Sequence, residues 1–173
     1  MQSKILIVLK DLHIIAFTHR NLDVNKIGLL HIEKEDQLAH LNRLKQVLEL
    51  DELQFLSTCN RVEITFVKQH KLDGDYVHQI LSLIYPKLVP IQLEEFVHRA
   101  ETYSGNAAVK HALSVASSID SMIVGEREII TQVRNAFDTS KEMELTGDFI
   151  RVVMRHTVET AKRVYTETSI ANK

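Results

Sequence analysis

The pattern of apolar and polar positions in the first hundred residues predicts alternating strands and helices. Short apolar or β-branched runs indicate strands, and apolar residues three or four positions apart indicate helices. Pro86 and Pro90 fall together in one connection. The order strand, helix, strand, strand, helix, strand fits the split β-α-β plan of ferredoxin-like domains. The predicted elements are the strand 12–17, the helix 34–48, the strands 52–57 and 62–67, the helix 75–85 and the strand 100–103.

From about residue 105 the pattern is almost entirely helical. Three stretches, over about residues 106–118, 126–143 and 147–166, follow a glycine or a residue that can cap a helix. The chain therefore has an α+β pattern, a ferredoxin-like domain followed by helices and the start of a long connecting helix. That last helix carries basic residues that are most simply a solvated face, although a nucleic-acid backbone would also suit them. They are Arg151, Arg155, Lys162 and Arg163.

Composition and charge exclude several classes of protein. The 173 residues are 45% hydrophobic and 25% charged, which is typical of a globular domain. The net charge of -2 excludes a protein that binds nucleic acid by its overall charge, but not one with a local basic face. The early apolar run at 5–9 is too short for a signal sequence, and no segment approaches the roughly 18 apolar residues of a membrane span. The sequence predicts a cytoplasmic protein with no membrane contact.

The cysteine and glycine positions limit the chemistry further. With the single cysteine Cys59, an internal disulfide is impossible and a cysteine-based zinc site is nearly so. No two histidines have the HxxxH spacing of a zinc site, so no metal is expected. The five glycines are too far apart to form a phosphate-binding loop.

Cys59 is the first candidate for chemistry. It lies in a polar insert between two apolar strands, which suggests the tip of a hairpin. Arg61 is two residues away, and a nearby cation favours the reactive thiolate. A lone cysteine is more often a small buried hydrophobe, so a catalytic thiol and a chance cysteine in a turn both remain open from the residues alone.

His111 is the histidine best placed to assist a thiol. At about 100° per residue it points away from the apolar stripe of its helix, so it is expected to face water or a cleft. A solvated helix histidine is the simpler interpretation. The stripe comprises Val109, Ala112, Leu113 and Ala116.

The segment 118–128 is the second unusual stretch. Gly125 followed by Glu126 and Glu128 is typical of a helix start with favourable first-turn acids. That interpretation does not explain the apolar residues 122–124 next to Ser121, so a binding loop is an alternative.

Two long motifs resemble those of glutamyl-tRNA reductase. Residues 56–64, LSTCNRVEI, are similar to the signature of that family, and so are residues 109–129, VKHALSVASSIDSMIVGEREI. The early AFTHR at 16–20 and the late AKRVYTET at 161–168 fit in order. The resemblance covers almost the whole chain and implies that Cys59 is a catalytic nucleophile.

The resemblance also implies a reaction. Glutamyl-tRNA and NADPH would give glutamate-1-semialdehyde, free tRNA and NADP, the first step of tetrapyrrole (porphyrin) synthesis from glutamate. Cys59 would attack the aminoacyl ester and form an enzyme thioester, which a hydride then reduces to the aldehyde. A thioester is more reactive toward hydride than an oxygen ester, so covalent catalysis divides one hard step into two.

Matched by position, several residues take roles from the family. His111 would be catalytic, as a base toward the thiol or an acid toward the departing ribose oxygen. Arg61 would clamp a substrate carboxylate. The family commonly has Gln where this chain has Glu128, an acid that could hold the substrate ammonium. The implied substrate-binding residues are Thr58, Asn60, Arg61, Ser121, Glu126, Arg127 and Glu128.

The resemblance further implies a longer enzyme. The family carries an NADPH-binding domain and a dimerisation domain after this region, so residues 1–145 are expected to be the catalytic domain and 146–173 the start of a linker helix. NADPH would be bound outside this chain. The expected partners are glutamyl-tRNA, a second copy of the full-length enzyme and glutamate-1-semialdehyde aminomutase. Two alternatives are a stand-alone Cys/His acyl hydrolase and a non-enzymatic ferredoxin-like binding module.

Overall fold

The computed structural model describes residues 9–121, 124–125 and 127–172 of the chain. Four strands form one antiparallel sheet in the order β2-β3-β1-β4, as expected for the ferredoxin-like plan. The prediction of an α+β, ferredoxin-like domain followed by helices is therefore confirmed. The strands are β1 (Leu12–Thr18), β2 (Glu52–Ser57), β3 (Arg61–Val67) and β4 (Glu101–Ser104).

Seven α-helices lie within the described residues, and a short 3-10 helix, Ser169–Asn172, follows the last of them. None of the helices in this described part is long and apolar enough to cross a membrane. The helices are α1 (Val24–Gly28), α2 (Lys34–Val47), α3 (Gly74–Ile84), α4 (Pro90–Arg99), α5 (Asn106–Ala116), α6 (Glu128–Glu142) and α7 (Asp148–Glu167).

Helices cover both faces of the sheet and create two cores. Successive side chains of a strand point to opposite faces. Ile15 and Phe17 of β1 therefore pack with α2, α3 and α4, whereas Ile14 and Ala16 pack with α5, α6 and α7. Both faces of β1 are buried along its whole length, which explains why this strand appears in the sequence as a continuous apolar run.

The sheet register places two acidic residues on either side of one small residue. Ala16 of β1 is paired with Glu63 of β3 and with Glu101 of β4. Residues directly opposite each other in antiparallel strands share a face, so both carboxylates point toward α5. The small Ala16 side chain leaves room between them. The row of paired residues Glu63, Ala16 and Glu101 positions the candidate site.

The helices α1 and α4 were not predicted. Placing both prolines in a connection is wrong for Pro90, which is the first residue of α4. Proline is well tolerated there because its missing N–H has no partner in the first turn of a helix and its fixed φ suits the helix. Gln92 completes the start of α4, since its side chain accepts a hydrogen bond from the Val89 N–H at 3.1 Å.

The last helix, α7, packs back onto the domain through residues such as Met154 and Ala161. Its N-terminus is held by Glu52 of β2, whose carboxylate accepts three backbone N–H groups at 2.8 to 2.9 Å. The three donors are Gly147, Phe149 and Ile150. The predicted boundary between residues 1–145 and 146–173 lies just before this helix, and a linker role for α7 stays a prediction.

Candidate functional site

Cys59 lies at the tip of the β2–β3 hairpin, as the sequence predicts, and its side chain is exposed. The Thr58 N–H donates to the Arg61 carbonyl oxygen at 2.9 Å and closes the turn. The Asn60 N–H donates to the Thr58 hydroxyl oxygen at 3.2 Å, a local bond that favours threonine in turns. The His19 N–H donates to the Asn60 carbonyl oxygen at 3.1 Å, so the segment after β1 is docked against the thiol-bearing turn.

Arg61 follows the turn on β3 and has only 3% of its side chain exposed. Its Nη1 donates to Glu63 Oε1 at 2.6 Å. Its Nη2 donates to the Asp120 carbonyl oxygen and, at 3.1 Å, to Asp120 Oδ2. A buried guanidinium is costly unless its donors are paired, and these bonds engage both terminal nitrogens. Arg61 therefore ties the sheet to the segment after α5.

His111 lies in α5 with 4% of its side chain exposed, so the expectation of a solvated histidine is wrong. The buried positions of α5 are 108, 111, 112, 115 and 116. This spacing is a regular helical stripe, and it includes the histidine. A stripe drawn from apolar residues alone misplaces it, because a histidine whose polar atoms are bonded can pack as a core residue.

Two contacts fix the His111 ring. Its Nε2 lies 3.0 Å from Glu63 Oε1, the same oxygen that accepts from Arg61. The ring stacks on Tyr103 of β4, with ring centroids 4.1 Å apart and an interplanar angle of 15°. No described residue forms a hydrogen bond with Nδ1. The arrangement therefore holds one nitrogen and the ring plane of His111 while leaving the other nitrogen for chemistry.

Glu63 is ionised in this setting. Burial alone raises the pKa of its carboxyl, but the hydrogen bond and charge of His111, together with Arg61, lower that pKa below its ordinary value. An ionised carboxylate can only accept hydrogen bonds. His111 therefore presents an N–H at Nε2, and in the neutral ring Nδ1 carries the lone pair.

The second carboxylate of the row, Glu101, orders the other side of the ring stack. Its Oε2 accepts the Tyr103 hydroxyl at 2.6 Å and Arg20 Nη2 at 3.1 Å, and its Oε1 accepts the Thr18 hydroxyl at 3.0 Å. Burial and the hydrogen bond to Glu101 raise the pKa of Tyr103 to about 12. Tyr103 is therefore a fixed donor and a stacking platform for His111.

Asp120 is shared by two arginines. Arg61 contacts its carbonyl oxygen and its carboxylate, and Arg20 donates to both carboxylate oxygens. Arg20 has 46% of its side chain exposed, against 3% for Arg61. One carboxylate thus balances an exposed cation and a buried one at the end of the sheet that carries the Cys59 turn.

The remaining predicted site residues are more scattered. Ser121 follows Asp120 and is half-buried. Arg127 and Glu128 are exposed at the start of α6, where the Arg127 guanidinium lies 5.8 Å from the ring centre of Tyr165 in α7. Glu126 lies outside the described residues. The structure thus joins Arg61 to His111 through Glu63, with the Cys59 turn directly before Arg61 in the chain, and it places Arg127 against α7.

Sequence reasoning missed Glu63 and Asp120, although both fall within the motifs quoted above. The signal for Glu63 was its position two residues after Arg61 on a strand, which puts both on one face. Asp120 had no such signal, because its partner arginines lie 100 and 59 positions away in the chain. His19, beside the turn, was also missed, and its buried Nδ1 has no partner among the described residues.

The described residues of the site fit neither a metal ion nor a dinucleotide. Within the described ranges, no cluster of three or more His, Cys, Asp or Glu side chains could hold a metal ion. Dinucleotides bind where a parallel strand leads through a glycine-rich turn into a helix. The sheet of the described residues is antiparallel throughout, and no glycine-rich loop occurs in the sequence. These residues do not fit NADPH.

Comparison with known families supports the resemblance. Residues 15–168 match the family described as "Glutamyl-tRNAGlu reductase, N-terminal domain". The match covers most of the chain, including the Cys59 turn and the whole of α5.

Individual relatives agree with the family match. The chain is 34% identical to glutamyl-tRNA reductase from Campylobacter curvus over 161 residues, which are 91% of the chain and 36% of that protein. It is 33% identical to the one from Syntrophus aciditrophicus, covering 92% of the chain and 37% of the relative. The structure of the Methanopyrus kandleri glutamyl-tRNA reductase superposes with a TM-score of 0.73 at 26% identity, over 92% of this chain and 35% of that one. The chain thus spans little more than a third of the length of these relatives.

Proposed function

The chain belongs to the family of glutamyl-tRNA reductase N-terminal domains, and from this premise we propose that it carries the acyl-transfer half of the reduction of glutamyl-tRNA. The observation that carries the proposal is the position of Cys59, which is exposed on the turn just before β3. The first residue of β3, the buried Arg61, is linked through Glu63 to His111 of α5. An exposed thiol beside fixed, charged groups suits covalent catalysis.

The proposed step is transfer of the glutamyl group from the ribose oxygen to the Cys59 sulfur. The Cys59 thiolate attacks the carbonyl carbon of the glutamyl ester, and a bond forms between Sγ and that carbon. The bond from the carbonyl carbon to the ribose oxygen breaks, and the ribose oxygen takes up a proton as tRNA leaves. The products are a glutamyl thioester on Cys59 and free tRNA, with no change in oxidation state.

His111 supplies the proton movement in this proposal. Because Nε2 is committed to ionised Glu63, Nδ1 is the nitrogen that accepts a proton from the thiol or delivers one to the ribose oxygen. Glu63 and Tyr103 are positioning residues, since they act through the imidazole. The three residues would therefore act as a catalytic triad. Cys59 would be the nucleophile, His111 the base and Glu63 the carboxylate that orients the base.

Arg61 is proposed to bind the side-chain carboxylate of the glutamyl group. Its Nη2 is held by Asp120, which has the same chemistry as that carboxylate. On binding, the substrate carboxylate takes the place of Asp120, and Arg20 keeps Asp120 paired. Thr58 and Asn60 would border the glutamyl group from the turn, and Ser121 from the segment after α5.

The reduction itself is assigned to NADPH held outside this chain, because the described residues do not fit a dinucleotide. The proposed product of the longer enzyme is glutamate-1-semialdehyde, for tetrapyrrole synthesis. Cytoplasmic location, homodimerisation of the longer enzyme and contact with glutamate-1-semialdehyde aminomutase stay predictions. Substrate contacts by Glu126, Arg127 and Glu128 also stay predictions.

The test is to incubate the chain with glutamyl-tRNA carrying labelled glutamate, quench in acid and look for label on the protein. Label on the wild type that hydroxylamine releases, and none on Cys59→Ser, is the expected result. Slow release of free glutamate and no semialdehyde should follow, even with NADPH present. Semialdehyde formed by this chain alone would overturn the proposal that the chain carries only the acyl transfer and that reduction takes place outside it.

The same material distinguishes the two alternatives. A stand-alone acyl hydrolase would release glutamate in many rapid turnovers with no build-up of labelled protein. A binding module with an inert cysteine would form no thioester, and its folded Cys59 would resist iodoacetamide at neutral pH.

A further inference from the structure

The helices α6 and α7 form a long surface groove whose lining is strongly basic. It consists of two adjoining clefts that share Arg134 and Lys162, so they are continuous. From Arg151 to Lys162 the groove extends about 16 Å along α7, at roughly 1.5 Å per residue. The cations that line it are Arg127, Arg134, Arg151, Arg155 and Lys162.

These cations exceed the nearby acids. Two carboxylates, Asp138 and Glu159, line the same groove, against five cations. The chain as a whole has a net charge of -2, so this excess is local. Arg134, Arg155 and Lys162 form no ion pair with any described residue, which leaves their charge available to a ligand.

The groove also leads toward the candidate site. At one end, the Arg127 guanidinium lies over the ring of Tyr165. The Tyr165 hydroxyl donates to the carbonyl oxygen of Ala116 at 3.5 Å. Ala116 ends α5, four residues before Asp120, which pairs with Arg61. Tyr165 therefore links this end of the groove to the C-terminal end of α5, the helix that precedes Asp120 in the chain.

We propose that the α6–α7 groove binds the phosphate backbone of the tRNA substrate. The inference rests on the proposed function, which supplies a polyanion that must reach the Cys59 turn. Guanidinium groups suit phosphate because their planar donors match two oxygens at once. A groove about 16 Å long passes several successive phosphates, since they recur at roughly 3.4 Å of axis per strand in a double helix.

The experiment measures binding of fluorescently labelled, uncharged tRNA to the chain over a range of salt concentrations. The groove variant is R134E/K162E, because both residues line both clefts and both are exposed. The matched control is R43E/K87E, which changes the net charge equally at exposed positions on α2 and beyond α3. Equal thermal midpoints of unfolding establish that all three proteins are folded.

The groove variant is expected to bind tRNA at least about tenfold more weakly at low salt. The slope of the logarithm of its binding constant against the logarithm of the salt concentration should be smaller in magnitude by about two. The control should change affinity by less than about threefold. Equal weakening by both variants would mean that only net charge matters and would overturn the proposal. Unchanged binding by the groove variant would also overturn it and would leave the groove to another anion, such as an acidic protein segment.

Because the tRNA is uncharged, thiol chemistry does not enter the measurement. A chain that binds tRNA through the groove but forms no thioester would contradict the proposed function and support the groove. A groove variant that forms the thioester and binds tRNA like the wild type would contradict the groove alone.

Discussion

Glu63 Oε1 lies 3.0 Å from Nε2 of His111, and the same oxygen accepts a hydrogen bond from Arg61 at 2.6 Å. One buried carboxylate therefore both compensates a buried cation and fixes the tautomer of a histidine. These two duties have different consequences. The first is a matter of stability, and the second is a matter of reactivity.

Replacing Glu63 by Gln should lower the free energy of unfolding by about 3 kcal/mol, because removal of one partner leaves the buried Arg61 charge undercompensated. Chemical denaturation of the two proteins measures this loss. Glu142→Gln, at an exposed position on α6, is the control and should change stability by less than about 0.5 kcal/mol. Equal small effects of the two substitutions would show that Asp120 alone compensates Arg61.

Replacing His111 by Gln should slow thioester formation on Cys59 by about 10²- to 10⁴-fold, the usual contribution of a positioned acid or base. Single-turnover labelling with glutamyl-tRNA measures the rate in the wild type and in the variant at the same pH. His156→Gln, at an exposed position on α7, is the control and should keep the wild-type rate. If His19→Gln abolishes labelling while His111→Gln does not, the base is the histidine beside the turn.

The His13 side chain should make the protein less stable in mild acid. Burial lowers the pKa of His13, whose Nε2 donates to the Lys68 carbonyl oxygen and whose Nδ1 accepts from the Ser104 hydroxyl. The nearby charge of Asp11 opposes this shift and that of His70 adds to it. As the pH falls below about 6.5, the unfolded chain takes up the proton first, so the free energy of unfolding decreases.

Between pH 7.5 and the lowered pKa of His13 in the folded protein, His13 should change the free energy of unfolding by at most about 1.4 kcal/mol per pH unit. His13→Gln should remove it, whereas the exposed His156→Gln should leave it in place. If the free energy of unfolding falls equally with decreasing pH in all three proteins, groups other than His13 cause the pH dependence.

The fold was largely predictable because most strands are short apolar or β-branched runs and the turns between them carry polar residues. The hairpin with Cys59 at its tip follows directly from two β-prone runs separated by four polar positions. Helix α4 was missed because its first residue is Pro90, read as a sign of a connection. The 3.6-residue period of its buried Phe96 and half-buried neighbours was the available signal.

The site was predictable only in part. Thr58, Cys59, Asn60 and Arg61 are contiguous, so one turn holds them together. The contacts that give Arg61 and His111 their properties depend on the β1–β3 and β1–β4 register, which brings distant residues together and which the sequence pattern leaves open. The burial of His111 could not be read from polarity, since its environment is set by a carboxylate 48 positions away.

The carboxylate of Glu52 should stabilise the protein through the N-terminus of α7. It accepts three backbone N–H groups at 2.8 to 2.9 Å that otherwise lack partners in the first turn of the helix. Glu52→Ala should lower the free energy of unfolding by about 2 kcal/mol, at the upper end of the range for loss of a helix cap. Glu142→Gln, at an exposed position on α6, should change it by less than about 0.5 kcal/mol.

A double-mutant cycle with Gly147→Ala tests whether the hydrogen bonds cause this effect. A Cβ at position 147 would lie 2.7 Å from Glu52 Oε1, so alanine displaces the carboxylate from the helix N-terminus. Gly147→Ala should therefore destabilise the wild type and have little effect once Glu52 is already Ala. The two losses would then be non-additive by about 1 kcal/mol or more. Strictly additive losses would mean that the carboxylate and the glycine act independently, and that Glu52 stabilises α7 by some route other than this contact.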